Sequence, residues 1–260
     1  MADVPPWPAL ESGRLVHLPE AASTNSEAQR LADEGAPSGT WVLADRQTAG
    51  RGRSGREWQS EPGNLTASLI VRDVFPLDKA YQLALVSGVA VHAAIGRAVT
   101  LESPHSLELK WPNDILLGRA KLGGILVESS VTRRAEGALA VVGIGLNLAR
   151  HPVLEDRPAT SLSAHGATIA ALKMLAFLDE SMQEWLRLWS SGEGFGRVRT
   201  EWLARSLPEG VRIKVHSGQG LKEGLKTGTF AGLDHDGALL IRDAAGSIET
   251  VSFGDVALLP

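Results

Sequence analysis

Apolar residues fall in short runs along most of this chain, and the period of those runs changes several times. Residues 15–18 read as a short strand, and the Ser23-Thr24-Asn25 run after them opens a helix that extends to about Gly35. Thr24 and Glu27 stand at capping-box spacing. Residues 41–45 and 65–71 are compact apolar stretches of strand length. Residues 76–99 carry Ala, Val and Leu at helical spacing, with Pro76 suited to a first turn. Strand character returns at 107–111, 115–117, 124–129 and 139–146, with short turns at Gly118 and Gly137. Turns that short join antiparallel strands, because a parallel pair needs a long crossover. Residues 168–189 form an amphipathic helical pattern, and 195–206 predict one more helix.

The helices therefore fall at the start, middle and end of the strand series. That order predicts an α+β fold with a mixed, largely antiparallel sheet, not an alternating βαβ sheet. The pattern shifts again near Pro208-Glu209-Gly210, after which come short strands at 211–215, 228–233, 238–242, 248–251 and 256–259, with an Asp236-Gly237 hairpin signal. About 50 residues of this kind predict a small SH3-like β-barrel, giving expected domains 1–208 and 209–260.

Composition narrows the class. The 260 residues are 43% hydrophobic with glycines spread throughout, as in a globular chain of one large or one large and one small domain. The net charge of -4 argues against a general nucleic-acid or membrane-binding surface, so any basic cluster is a local site. The chain has no cysteine, which excludes disulfides, cysteine-ligated zinc and a thiol nucleophile. Residues 1–10 lack a basic-then-apolar signal pattern, and no stretch is apolar enough to cross a bilayer. A cytoplasmic enzyme or binding protein is expected.

One polar run stands out. In Gly50-Arg51-Gly52-Arg53-Ser54-Gly55-Arg56-Glu57-Trp58, three arginines alternate with three glycines before a tryptophan. Glycine permits close backbone approach, and the guanidinium fork suits phosphate and carboxylate. An anion-wrapping loop and a solvated surface turn both fit. Gly50, Gly52 and Gly55 also satisfy GxGxxG, but that motif needs a helix directly after its third glycine. Here only residues 56–64 precede the next strand, and Pro62-Gly63 interrupts them. A Walker loop fails because no Lys-Ser or Lys-Thr follows.

Three further runs accompany it. Lys110-Trp111-Pro112-Asn113-Asp114 places residues disfavoured in a central strand between apolar strands, as either a site or an ordinary turn. Lys121-Leu122-Gly123-Gly124-Ile125-Leu126-Val127-Glu128 sets a lysine at the mouth of a buried strand. Gly143-Ile144-Gly145-Leu146-Asn147 ends a buried strand in an amide.

Taken together, these runs resemble the biotin–protein ligases, which share a GRGRxGRxW loop, KWPND, KL(A/G)GIL(V/A)E and GxGxN, with an STN helix start at Ser23-Thr24-Asn25 and a glutamine, Gln47, before the loop. The resemblance covers roughly residues 15–260. It implies a reaction in two steps. The biotin carboxylate attacks the α-phosphate of ATP, giving biotinyl-5′-AMP and pyrophosphate, and a lysine amine of a carboxylase's biotin carrier domain then takes the biotinyl group. It implies biotin binding by Ser23, Thr24, Asn25, Gln47, Arg51, Gly52, Arg53 and Lys121. ATP binding falls to Arg51, Arg53, Lys110, Asn113, Lys121 and Asn147, with Mg2+ accompanying the nucleotide. Lys121, Arg53, Lys110 and Asp114 are the expected catalytic groups, with Lys110 facing pyrophosphate or the metal and Asp114 orienting the incoming lysine. Trp58 packs beside the ligand or anchors the core, and Arg56 has no assigned role.

Some family members carry an N-terminal helix-turn-helix domain and act as repressors, whereas the 14 residues before Leu15 are too few for one, so a ligase without operator binding is expected. Some also place an arginine after the last strand, where this chain reads Ala257-Leu258-Leu259-Pro260, which leaves a nucleotide contact at that position without its residue. Relatives are often dimers through the main sheet, and an edge strand here would serve. The rival enzyme is a lipoate–protein ligase, which adenylates an acyl group similarly. The octanoyl transferases need a cysteine nucleophile, and an RNA-binding module predicts aromatic stacking residues on a basic face, against 5% aromatics and a negative net charge here.

Overall fold

The computed structural model describes residues 10, 14–73, 76–101, 107–131, 138–154, 157–217 and 224–259. Residues 1–9, scanned above for a signal peptide, the turn at Gly137 and Pro260 lie outside them. The elements run β1 (Leu15–Leu18), α1 (Thr24–Asp33), β2 (Trp41–Ala44), β3 (Leu65–Asp73), α2 (Gln82–Ala98), β4 (Leu107–Lys110), β5 (Asp114–Leu117), β6 (Ala120–Val131), β7 (Ala138–Leu146), α3 (Ala171–Trp189), α4 (Phe195–Leu203), β8 (Arg212–Ser217), β9 (Gly224–Leu233), β10 (Leu239–Arg242), β11 (Ile248–Val251) and β12 (Gly254–Leu258). No helix among the described residues is long and apolar enough to cross a membrane.

The first seven strands make one sheet in the order β1-β2-β3-β7-β6-β5-β4. Only β1 and β2 run parallel, and every other neighbouring pair is antiparallel. Period-2 alternation buries both faces. Trp41, Leu43, Leu69, Val71, Ala140 and Val142 enter the large core with α2, α3 and α4, while Val42, Ile70, Leu139 and Val141 face α1 in a second, smaller cluster. Two buried indoles find polar partners inside the large core: Trp41 Nε1 donates to Asp179 at 2.7 Å and Trp189 Nε1 to Gln82 at 2.9 Å.

Several elements depart from the apolar pattern. Helix α2 begins at Gln82, because Leu77–Lys79 forms a 3-10 turn after Pro76. Strand β6 runs for twelve residues through Gly123-Gly124, since both glycines are laddered to β5 and β7. The Thr24–Glu27 capping box does not form: Ser23 is the N-cap with no side-chain cap bond, and Glu27 is turned toward Arg30.

The last five strands make a separate antiparallel sheet in the order β11-β10-β9-β8-β12. Its Asp236-Gly237 turn is the joint with the larger sheet. Lys79 Nζ lies 2.8 Å from Asp236, the Tyr81 hydroxyl donates to the Asp236 carbonyl at 2.8 Å, and Trp111 Nε1 donates to the Gly237 carbonyl at 3.1 Å. Gly237 has φ +101°, and a Cβ there would stand 2.7 Å from both Leu85 and Phe195. Only glycine serves both the turn and the contact.

Candidate active site

All twelve residues named above as binding or catalytic line one cavity of about 830 Å³, between the C-terminal end of β2, the 50–58 loop, the β4–β5 turn and β12. The run 110–114 is a turn that lines the cavity: it is the β4–β5 hairpin, with Lys110 and Asp114 paired across it.

One end of the cavity is lined by the uncharged, hydrogen-bonding side chains of Ser23, Thr24, Asn25 and Gln47. The start of α1 meets Gln47, whose side-chain oxygen accepts from the Thr24 backbone amide at 2.7 Å and the Thr24 hydroxyl at 3.0 Å. Ser68 Oγ lies 2.8 Å from Thr24 Oγ1 and 2.6 Å from Asn25 Oδ1. The Asn25 amide nitrogen in turn donates to Glu128 at 2.7 Å. Two glycines of β7 make this wall thin. A Cβ on Gly143 would stand 2.2 Å from Asn25 Oδ1, and one on Gly145 2.4 Å from the Trp58 indole. Trp58 therefore lies flat on the sheet at the cavity wall, with Lys121 Nζ 5.9 Å from its ring centroid.

The other end is cationic. Asp114, buried, has one carboxylate oxygen 2.6 Å from Lys121 Nζ and the other 2.7 Å from Lys110 Nζ, with Arg157 Nη1 3.8 Å away. The two ammoniums hold the Asp114 carboxyl well below the usual carboxylate range, overcoming the burial that pushes it up. Burial pushes the Lys121 ammonium down, and Asp114 opposes it. Burial likewise lowers Arg53, against the support of Asp255 and Asp114.

The 50–58 loop is a small hairpin closed by Gly52 N to Arg56 O at 2.7 Å and Trp58 N to Gly50 O at 2.9 Å. No α-helix follows its glycines, as the rejection of a dinucleotide fingerprint required. Its arginines reach protein carboxylates of both sheets. Arg51 lies 3.2 Å from Glu128 of β6, while Arg53 and Arg56 lie 3.4 and 2.6 Å from Asp255 of β12.

The chain also matches known proteins. The biotin/lipoate A/B protein ligase family matches residues 20–147, and the biotin protein ligase C terminal domain matches residues 210–259. A biotin–[acetyl-CoA-carboxylase] ligase of Paracoccus denitrificans is 38% identical over 234 residues, covering 88% of this chain and 94% of its own. The chain belongs to the biotin protein ligase family. A bifunctional ligase/repressor of Bacillus subtilis is 33% identical over 94% of this chain and 74% of its own length. Among solved structures, a biotin protein ligase from Aquifex aeolicus in complex with biotin and ATP aligns with a TM-score of 0.74 and 30% identity, covering 95% of this chain and 98% of that one.

Within this ligase several of the expected residues also meet protein partners. Lys110 lines the cavity but is buried, and its ammonium donates to the Val256 carbonyl at 2.7 Å, tying β12 to the β4–β5 hairpin. Asp114 is the shared anion of two lysines. Asn113 donates to the Ile125 carbonyl at 2.7 Å and faces Arg53 at 3.4 Å. Asn147 donates to the Thr160 carbonyl, and its buried Oδ1 has no partner among the described residues. Arg119, Arg157 and Asp255 also line the cavity, and the sequence reading did not single them out. Arg119 had a weak signal beside Gly118, since the two-residue turn gives it φ +68°. Arg157 had none; residues 158–160 carry it in along β6, where Lys121 N donates to Pro158 O at 2.8 Å.

Proposed function

We infer that this protein is a biotin–protein ligase that joins biotin and ATP into biotinyl-5′-AMP, releases pyrophosphate, and transfers the biotinyl group to a lysine of a carboxylase's biotin carrier domain. One observation carries the reading: a single cavity joins an uncharged, hydrogen-bonding end at Thr24 and Gln47 to a cationic end at Lys121 and Arg53. A ureido ring suits the first end, and a carboxylate meeting a phosphate suits the second. Two unit charges at 4 Å repel by about 4 kcal/mol at an effective dielectric near 20, so the first step needs several cations at one point. Lys121 and Arg53 would face the carboxylate and α-phosphate, and Arg51 would close the loop above them. The free acceptor on Asn147 fits a donor of the nucleotide.

Magnesium would enter as the ATP complex, held by phosphate oxygens, in keeping with its reluctance to shed water. No group of three or more carboxylates or histidines gathers among the described residues. In the second step the acceptor amine attacks the acyl carbonyl, the carbonyl–phosphate bond breaks, and AMP leaves. Biotin is favoured over lipoate as substrate, since the relatives in hand are named for biotin. Cytoplasmic location and a homodimer through an edge strand of the main sheet are the expectations that go with this activity.

The test is ATP-dependent transfer of labelled biotin to a purified carrier domain, together with pyrophosphate release measured with biotin and with lipoate. Release with lipoate alone would overturn the assignment. The wall formed by Gly145 gives a second measurement. Gly145→Ala is expected to displace the Trp58 indole and weaken biotin binding about tenfold, about 1.4 kcal/mol, read by titration calorimetry. Unchanged affinity would place Trp58 outside the biotin wall.

A further inference from the structure

Arg56 is the loop arginine to which the resemblance gives no task, and its partner is unusual. Asp255 puts a negative charge at the rim of a cavity otherwise built to hold anions. Its carboxylate lies 2.6 Å from Arg56 Nη2, 3.4 Å from Arg53 Nη1 and 3.4 Å from Ser54 Oγ. Arg53 also donates to the Gly254 carbonyl at 3.2 Å and has the Phe253 ring centroid 5.4 Å from its guanidinium carbon. Arg53 is mostly buried, at 18% exposure, whereas Arg56 is 47% exposed and at the solvent side of the pair. Asp255 and a nucleotide phosphate would thus compete for Arg53, and an Asp255 left alone would both hold Arg53 back and repel the phosphate.

We propose that Arg56 is a positioning residue that acts through Asp255: it keeps that carboxylate compensated, so that Arg53 is released to the ligand anion. This rests on the ligase reading for the nature of the anion, but the pairing itself does not. Arg56 then needs no contact with the substrate, and β12 of the small sheet takes part in nucleotide binding through charge.

The order of effects in three variants tests this. Arg56→Ala is expected to raise the ATP KM roughly fivefold with kcat little changed, and Asp255→Asn in the same chain is expected to recover most of the loss. Arg56→Lys, which keeps the charge, should behave close to the parent protein. Calorimetric binding of α,β-methylene ATP in the presence of biotin should follow the same order. A direct ligand contact by Arg56 predicts that the two substitutions add, and a simple loop latch predicts that both single variants equal the double. Either result overturns the proposal. Melting temperatures without ligand give an independent reading, since Arg56→Ala should fall below the double variant if Asp255 is left uncompensated. If the parent protein binds neither biotin nor the analogue, the ligase reading falls, while the melting order still decides the Arg56–Asp255 relation.

Discussion

Replacing Lys121 with methionine is expected to cut biotin-dependent pyrophosphate release about 1,000-fold, about 4 kcal/mol of transition-state stabilisation, while leaving the protein folded. The cationic end of the cavity is where charge from a carboxylate and a phosphate would accumulate, and Lys121 is the ammonium that reaches it from the β6 side. The fold should survive because of the charge count around Asp114. With Lys121 gone, Asp114 still pairs with Lys110 at 2.7 Å, a neutral buried couple, and Arg157 remains at 3.8 Å. Methionine fills a similar volume with no charge to bury. Pyrophosphate release checks the rate, and a thermal melt checks the fold. A variant that kept more than about a tenth of the parent rate would remove Lys121 from the chemistry.

Asp114→Asn should do the opposite, failing first in stability. It leaves Lys110 and Lys121 facing each other in a buried site, with Arg157 close by. Breaking a buried ion pair by removing one partner costs about 3–5 kcal/mol, which here corresponds to a drop in Tm on the order of 10 °C. The pH dependence has a definite sign. The folded Asp114 carboxyl lies below its ordinary value of 3.8, so its contribution is complete above that value and is lost as pH falls through the folded value. The parent protein should therefore lose stability steeply on acidification below about pH 4, and Asp114→Asn should show a shallower acid limb from a lower start. Denaturant unfolding at several pH values measures both. Equal acid limbs would mean that Asp114 is not the anion both lysines depend on.

The order and type of the elements were readable because local pattern decides them. Strands 41–44 and 139–146 announced themselves by length and apolar content, and helix α3 by its amphipathic spacing. The ends of elements were less readable where a partner across the fold intervenes. The 3-10 turn that delays the start of α2 is met by the Asp236-Gly237 turn of the small sheet, which lies more than 150 residues away along the chain.

The sequence by itself determined which polar groups the cavity could draw on: arginines of the alternating Arg-Gly loop, the lysines of 110–114 and 121–128 and the amide of Asn147 all line it. Side-chain type is a local property, so these groups name the ligand class wherever the chain carries them. Tertiary structure alone decided which partner each cation meets. Lys110 donates to the Val256 carbonyl and Arg56 pairs with Asp255, while Arg157, silent in the sequence, arrives beside Asp114. The physical reason is that a charge's partner depends on which strands pair and how the small sheet docks. Those contacts span 43 to 199 residues of chain, and no local pattern encodes them.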